Sequence, residues 1–127
     1  VEEMACHVNG KVERDNIGSL LKEPEDGSGP VKWVAADERF FSLAAVPMPD
    51  ATANDRRCGR RALDEMTGEA FLSFPRRTVE PGKSTTYAFT VFAGPKYREA
   101  LAAVQAGGQD VELEKLINVS FEALSRP

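Results

Sequence analysis

Histidine is nearly absent: a single imidazole, His7, serves all 127 residues, and only two cysteines, Cys6 and Cys58, accompany it. One histidine excludes a multi-histidine metal centre, and two thiols cannot complete a four-cysteine zinc site. No stretch approaches the roughly 18 consecutive apolar residues of a membrane-crossing helix. The longest candidate, residues 40–46, is of strand length and is broken by Ser42. A basic excess is also lacking: 16 basic against 20 acidic side chains leave a net charge of −4, which argues against a dedicated nucleic-acid binder. Val1, Glu2 and Glu3 do not follow the basic-then-apolar order of a signal peptide. With no methionine at position 1, the chain reads as an excised segment.

What is present suffices for a core. Hydrophobic residues make up 42% of the chain and charged ones 28%, the balance of a folded chain rather than a disordered one. The length suits one compact domain or a piece of a larger one. Cys6 and Cys58 leave two readings open. They can pair, closing a loop of roughly 50 residues for up to ~4 kcal/mol, or stay as two buried free thiols.

The first two thirds read as short strands. Asn9-Gly10 between residues 4–8 and 11–14 is a hairpin signal, since both tolerate positive φ. Residues 15–21 suit one helical turn, capped by Asp15 or Asn16, with Ile17, Leu20 and Leu21 inward. Residues 23–30, rich in proline, glycine and acids, read as a solvated loop. Alternation over 31–46 predicts two strands turning at Asp37-Glu38, and 47–55 a proline-bearing loop. Residues 56–66, 69–75 and 76–79 are further strand candidates. Pro81 and Gly82 suit positions i+1 and i+2 of a type II turn. Residues 85–92 then form a strand whose β-branched and aromatic residues on both faces predict cover on both sides.

The period changes after that strand. Gly94-Pro95 is expected to open a helix carrying Tyr97, Leu101 and Val104 inward, with Gly107-Gly108 as its stop. Asp110 is expected to cap a second helix with Leu113, Leu116 and Ile117 as its apolar stripe. The expected fold is mainly β: a β-sandwich body over residues 1–93 and two short C-terminal α-helices within 94–127.

No enzymatic constellation is legible. Gly27-Ser28-Gly29 is not the GxSxG elbow, and Cys6 and His7, adjacent on a strand, point to opposite faces. The carboxylate pairs Asp64/Glu65, Glu23/Glu25 and Glu112/Glu114 read as solvated acids. Gly94-Pro95-Lys96 lacks the glycine spacing of a phosphate loop. Arg56, Arg57, Arg60 and Arg61 could meet lipid headgroups or nucleic acid, but strand alternation splits them between two faces, so a solvated hairpin is favoured. Asn118-Val119-Ser120 fits a glycosylation acceptor pattern. Trp33, Phe40, Phe41, Phe71, Phe74, Tyr87, Phe89 and Phe92 are mostly assigned to packing, with one or two left for a groove. No catalytic residue, metal ligand or cofactor is assigned.

Two segments carry a resemblance. The first runs Trp33-Val34-Ala35-Ala36-Asp37-Glu38-Arg39-Phe40-Phe41-Ser42-Leu43-Ala44-Ala45-Val46-Pro47; the second is Tyr87-Ala88-Phe89-Thr90-Val91-Phe92-Ala93-Gly94-Pro95-Lys96. Leu113-Glu114-Lys115-Leu116-Ile117 and the terminal Arg126-Pro127 follow. Their order and separation resemble the C-terminal half of the large periplasmic domain of YidC-type membrane protein insertases. Val119-Ser120 stands where that family often has a Gly-aromatic pair, and the four-arginine stretch 51–63 has no counterpart.

The resemblance implies a supersandwich, in a half or compact version, in a protein of the bacterial inner membrane with this domain facing the periplasm. It implies a non-enzymatic, cofactor-free interaction and scaffold module. The partners it implies are nascent inner-membrane proteins and Sec translocon components, reached through the whole insertase, with no nucleic acid. Trp33, Phe40, Phe41, Pro47, Gly94, Pro95, Lys96, Leu113, Leu116 and Ile117 are the motif positions expected to serve structure or interaction. Exposed sheet edges of the fragment are expected to allow a homodimer. A carbohydrate-binding sandwich is the alternative, and it requires an exposed aromatic platform beside carboxylates.

Overall fold

A computed structural model describes residues 2–50 and 52–117. Asn9 and Gly10, at φ 53° and 79°, turn β1 (Glu3–Val8) into β2 (Lys11–Asn16), since two positive-φ residues match the twist of paired strands. Asn16 caps α1 (Ile17–Lys22) by accepting from the Ser19 N–H at 2.8 Å. Leu20 is buried, but Leu21 points outward at 48% exposure, because a helix of under two turns presents only a narrow inward stripe.

The acidic stretch 23–30 is not a loop. It contains β3 (Glu25–Gly29), followed by β4 (Val31–Asp37) and β5 (Phe41–Pro47). A 3₁₀ turn at Ala53–Asp55 leads into β6 (Arg56–Ala62) and β7 (Gly68–Ser73). β3 is a strand because β6 pairs with it, Gly27 opposite Cys58, while the Asp26 carboxylate meets Arg57. That long-range pairing overrides a turn-like composition. Residues 76–79 form no strand. Gly82 at φ 77° and the Lys83 N–H to Glu80 carbonyl bond, 3.0 Å, make the expected tight turn.

β8 (Phe89–Pro95) starts four residues later than the sequence pattern suggests; Arg77 instead donates to Thr85 Oγ1 and the Thr86 carbonyl. β8 also keeps Gly94 and Pro95, which pair with Ser42 and Phe41 rather than opening a helix. α2 (Arg98–Ala102) follows, and then β9 (Gln105–Ala106) and β10 (Gln109–Asp110) turn on Gly107 and Gly108 at φ 58° and 78°. That glycine pair therefore makes a hairpin rather than stopping the helix. The second expected helix is a single 3₁₀ turn, Leu113–Leu116.

Three layers result. A five-stranded antiparallel sheet, in the order β2-β1-β4-β5-β8, lies at the centre. The three-stranded sheet β3-β6-β7 packs on one face around Cys6, Val8, Val31, Val34 and Cys58. The C-terminal segment packs on the other face. Cys6 on β1 and Cys58 on β6 form a disulfide between the two sheets, with Cα atoms 6.2 Å apart. The smaller sheet lies over β1 and β4 and leaves β5 and β8 open on that side. β8 is thus not covered on both faces: Phe89 and Val91 are 54% and 55% exposed.

Arg56 and Arg60 correct the expectation of a solvated hairpin. Both are buried, because β6 turns them toward the sandwich interior while Arg57 and Arg61 face solvent. Part of each guanidinium finds a partner: Arg56 donates to the Met48 carbonyl, and Arg60 donates to Asp15 at 2.6 Å.

Candidate functional site: the docked C-terminal segment

The chain after β8 folds back onto the central sheet. Leu113 and Leu116 stand three apart, the spacing that eclipses side chains in a 3₁₀ turn. Both therefore enter the cluster of Ala5, Trp33, Ala35, Ala44, Val46, Leu101, Ala106 and Val111, with Ile117 partly buried against it. The small alanines on β1, β4 and β5 make room for these larger residues.

Polar groups fix the register of this docking. Trp33, fully buried, donates its indole N–H to the Val111 carbonyl at 3.0 Å. Arg14 donates from Nη2 to the carbonyls of Lys115 and Leu116, at 2.9 and 2.5 Å, and from Nη1 to Asp37 Oδ2 at 3.0 Å. Lys96 reaches the same Asp37 oxygen at 3.0 Å and the Glu38 carbonyl at 3.1 Å. A buried carboxylate thus holds two cations, one of which also caps the last helical turn.

A second cluster centres on Glu112. It stands at φ 60°, a left-handed conformation uncommon for a residue with a Cβ. Its Oε1 accepts from His7 Nε2 at 3.2 Å and Lys32 Nζ at 3.1 Å, and Oε2 pairs with Lys115 at 2.9 Å. Those three donors, Lys115 foremost, hold the Glu112 carboxyl down at about 2. Burial pushes the His7 imidazole below its ordinary value of 6.5, outweighing the pull of Glu112. Among the described residues no three metal-ligating side chains gather.

The expected motif residues separate into groups. Trp33, Leu113 and Leu116 meet in the docking core, Ile117 borders it, and Lys96 secures Asp37. Pro47 is buried at the end of β5, opposite Phe89. Gly94 and Pro95 close β8. Phe40 and Phe41 stand apart from the docking core at 59% and 53% exposure. Asn118-Val119-Ser120 lies outside the described residues.

Sequence reasoning overlooked Arg14, Asp37, His7, Lys32 and Glu112 as a set. One signal existed: Asp37 ends a strand of apolar residues where a lone carboxylate needs a cation. Glu112 offered only the local i,i+3 spacing to Lys115, since its other partners come from residues 7 and 32.

Comparison with known proteins points one way. A family model described as the YidC periplasmic domain matches residues 4–123. The chain is similar to a protein of Geotalea daltonii named membrane protein insertase YidC, 27% identical over 118 residues, covering 92% of this chain and 21% of that protein. It is also similar to the protein of the same name from Nitrosococcus oceani, 28% identical over 89 residues, covering 70% of this chain and 16% of that one. It therefore spans about a fifth of the length of such relatives or less.

Proposed function

This chain belongs to the YidC periplasmic domain family, and from that premise we propose that it is a non-catalytic interaction and scaffold module of a bacterial membrane protein insertase. On this reading the domain faces the periplasm in a protein of the inner membrane, the sandwich over residues 1–93 is the interaction body, and 94–127 leads toward the membrane-embedded part. No helix among the described residues is long and apolar enough to cross a membrane. The partners proposed for the whole insertase are nascent inner-membrane proteins and Sec translocon components.

One observation carries the reading. Arg14 ties the last helical turn to Asp37 in the central sheet, so a displacement of the body is transmitted to the chain that leaves it. A rigid exit suits a module that must keep its orientation toward a membrane-embedded core. Carbohydrate binding finds less support. Phe41 and Phe89 stand at opposite ends of the β5–β8 pair, and the Arg77 guanidinium sits 4.1 Å over the Tyr87 ring, so these rings do not make one flat platform.

The test is Leu116→Asp, with Leu21→Asp on the exposed side of α1 as control, introduced into the whole insertase. Protease protection of an inner-membrane substrate measures insertion at matched insertase abundance. Loss of insertion with Leu116→Asp alone is expected. Insertion at the wild-type rate, together with a lowered melting temperature of the isolated chain, would overturn the coupling role.

A further inference from the structure

The two sheets enclose a polar groove along their β2–β3 side. Val12 packs against the C-terminal layer and Arg14 reaches Leu116. Strand alternation therefore turns Lys11 and Glu13 the other way, toward the smaller sheet. Cys58 points inward to its disulfide with Cys6, and Glu25 and Gly27, paired with Arg60 and Cys58, share that inward face. These residues line a groove of about 380 Å³. Gly27 brings no side chain into it, and a Cβ there would lie only 3.3 Å from Val8.

The charges of the groove are not used up within the chain. Arg57 takes Asp26, and Asp15 takes Arg60 Nε. Glu13 and Glu25 stand on facing walls, one on each sheet, and among the described residues neither they nor Lys11 has a side-chain hydrogen bond or ion pair. Two like charges across a sheet gap of about 10 Å favour a cation between them. At the inner end Arg60 is 4% exposed, and its Nη1 makes no hydrogen bond. A buried guanidinium N–H without an acceptor is costly. That end calls for an oxygen.

We propose that this groove binds the free amino end of a peptide chain. The α-ammonium sits between Glu13 and Glu25, and the carbonyl beside it accepts from Arg60 Nη1. Two unpaired carboxylates against the one ammonium of Lys11 leave the groove a single negative charge, so it favours a monocation over an anion or a zwitterion. A lysine side chain or an alkylamine offers the charge but no neighbouring acceptor, and leaves Arg60 unsatisfied. The groove falls in the range of about 300–1,000 Å³ typical of ligand pockets, which gives room for the first residues of such a chain.

Titration of the 127-residue chain with glycylglycinamide, followed by amide chemical shifts, tests this. Shifts are expected at residues 11–13, 25–27 and Arg60, with a dissociation constant on the order of 1 mM. N-Acetylglycinamide keeps the acceptor but lacks the charge, and n-butylamine keeps the charge but lacks the acceptor. Each should bind about tenfold more weakly or worse. Glu13→Gln and Glu25→Gln should each weaken binding about fivefold without lowering the melting temperature, since neither carboxylate has a partner. Lys22→Gln, on α1, should leave binding intact. Phosphoethanolamine places a phosphate where the peptide has a carbonyl, and tighter binding of it than of glycylglycinamide overturns the peptide assignment. Absence of shifts at about 20 mM peptide overturns the site, as do equal binding of n-butylamine and indifference to both substitutions.

Discussion

Arg14 on β2 reaches Asp37 on β4 at 3.0 Å although β1 lies between their strands. The β1 positions between them are Ala5, paired with Arg14, and Glu3, paired with Asp37 and itself 3.6 Å from Arg14 Nη1. The methyl group of Ala5 leaves the guanidinium a diagonal path toward Asp37. Asp37 is 4% exposed, and Lys96 completes its cation pair.

Asp37→Ala should therefore be among the costliest single changes. Removing one member of a buried ionic cluster leaves charge uncompensated, at about 3–5 kcal/mol. A lowered urea midpoint measures it. Arg14→Met should cost less while loosening residues 113–117, read as faster amide exchange there; unchanged exchange would contradict the cap.

Acid should weaken the fold in two stages. The folded-state pKa of His7 lies below its ordinary 6.5, so the stability due to its neutral, buried ring is complete above 6.5 and declines as pH falls through that value. Glu112 is held at about 2 against an ordinary 4.5, so its contribution is complete above 4.5 and is lost as pH drops from there toward 2. Urea midpoints across this range should fall in both windows. His7→Gln should flatten the upper one and Glu112→Gln the lower.

The Cys6–Cys58 bridge spans 52 residues, and breaking it should cost up to ~4 kcal/mol in the chain-entropy model. Both sulfurs are fully buried, so reductant should act slowly on the native chain and rapidly in moderate urea. Equal rates under the two conditions would argue against a sealed bridge between the sheets.

Gly59 lies opposite Phe71 across the β6–β7 pair, and a Cβ at residue 59 would collide with that ring. Gly59→Ala should force the ring aside and cost about 1–3 kcal/mol. Gly82→Ala, with open space around it but φ at 77°, should lose about 1 kcal/mol through backbone strain alone. Thermal melts of the two variants rank them.

Local chemistry was readable where it sufficed by itself. Asn9-Gly10 can hardly avoid a hairpin turn, Asn16 is an able cap, and the alternation around Trp33 declares a half-buried strand. The Leu113–Leu116 stripe announced a surface to dock against. β3 was unreadable because Glu-Asp-Gly-Ser-Gly has no strand preference until β6 offers it a ladder and Arg57 a counter-charge.

The amino-acid order thus settled the Asn9-Gly10 and Pro81-Gly82 turns, the alternation around Trp33 and the mainly β character, each being a matter of backbone sterics within a few residues. Only tertiary structure decided which arginines of β6 are buried, that Asp37 anchors the C-terminal segment rather than a turn, and that β8 keeps one bare face. Those outcomes depend on which strand lies beside or above which. That is set by distant side chains competing for the same desolvated space, and no local window of sequence contains them.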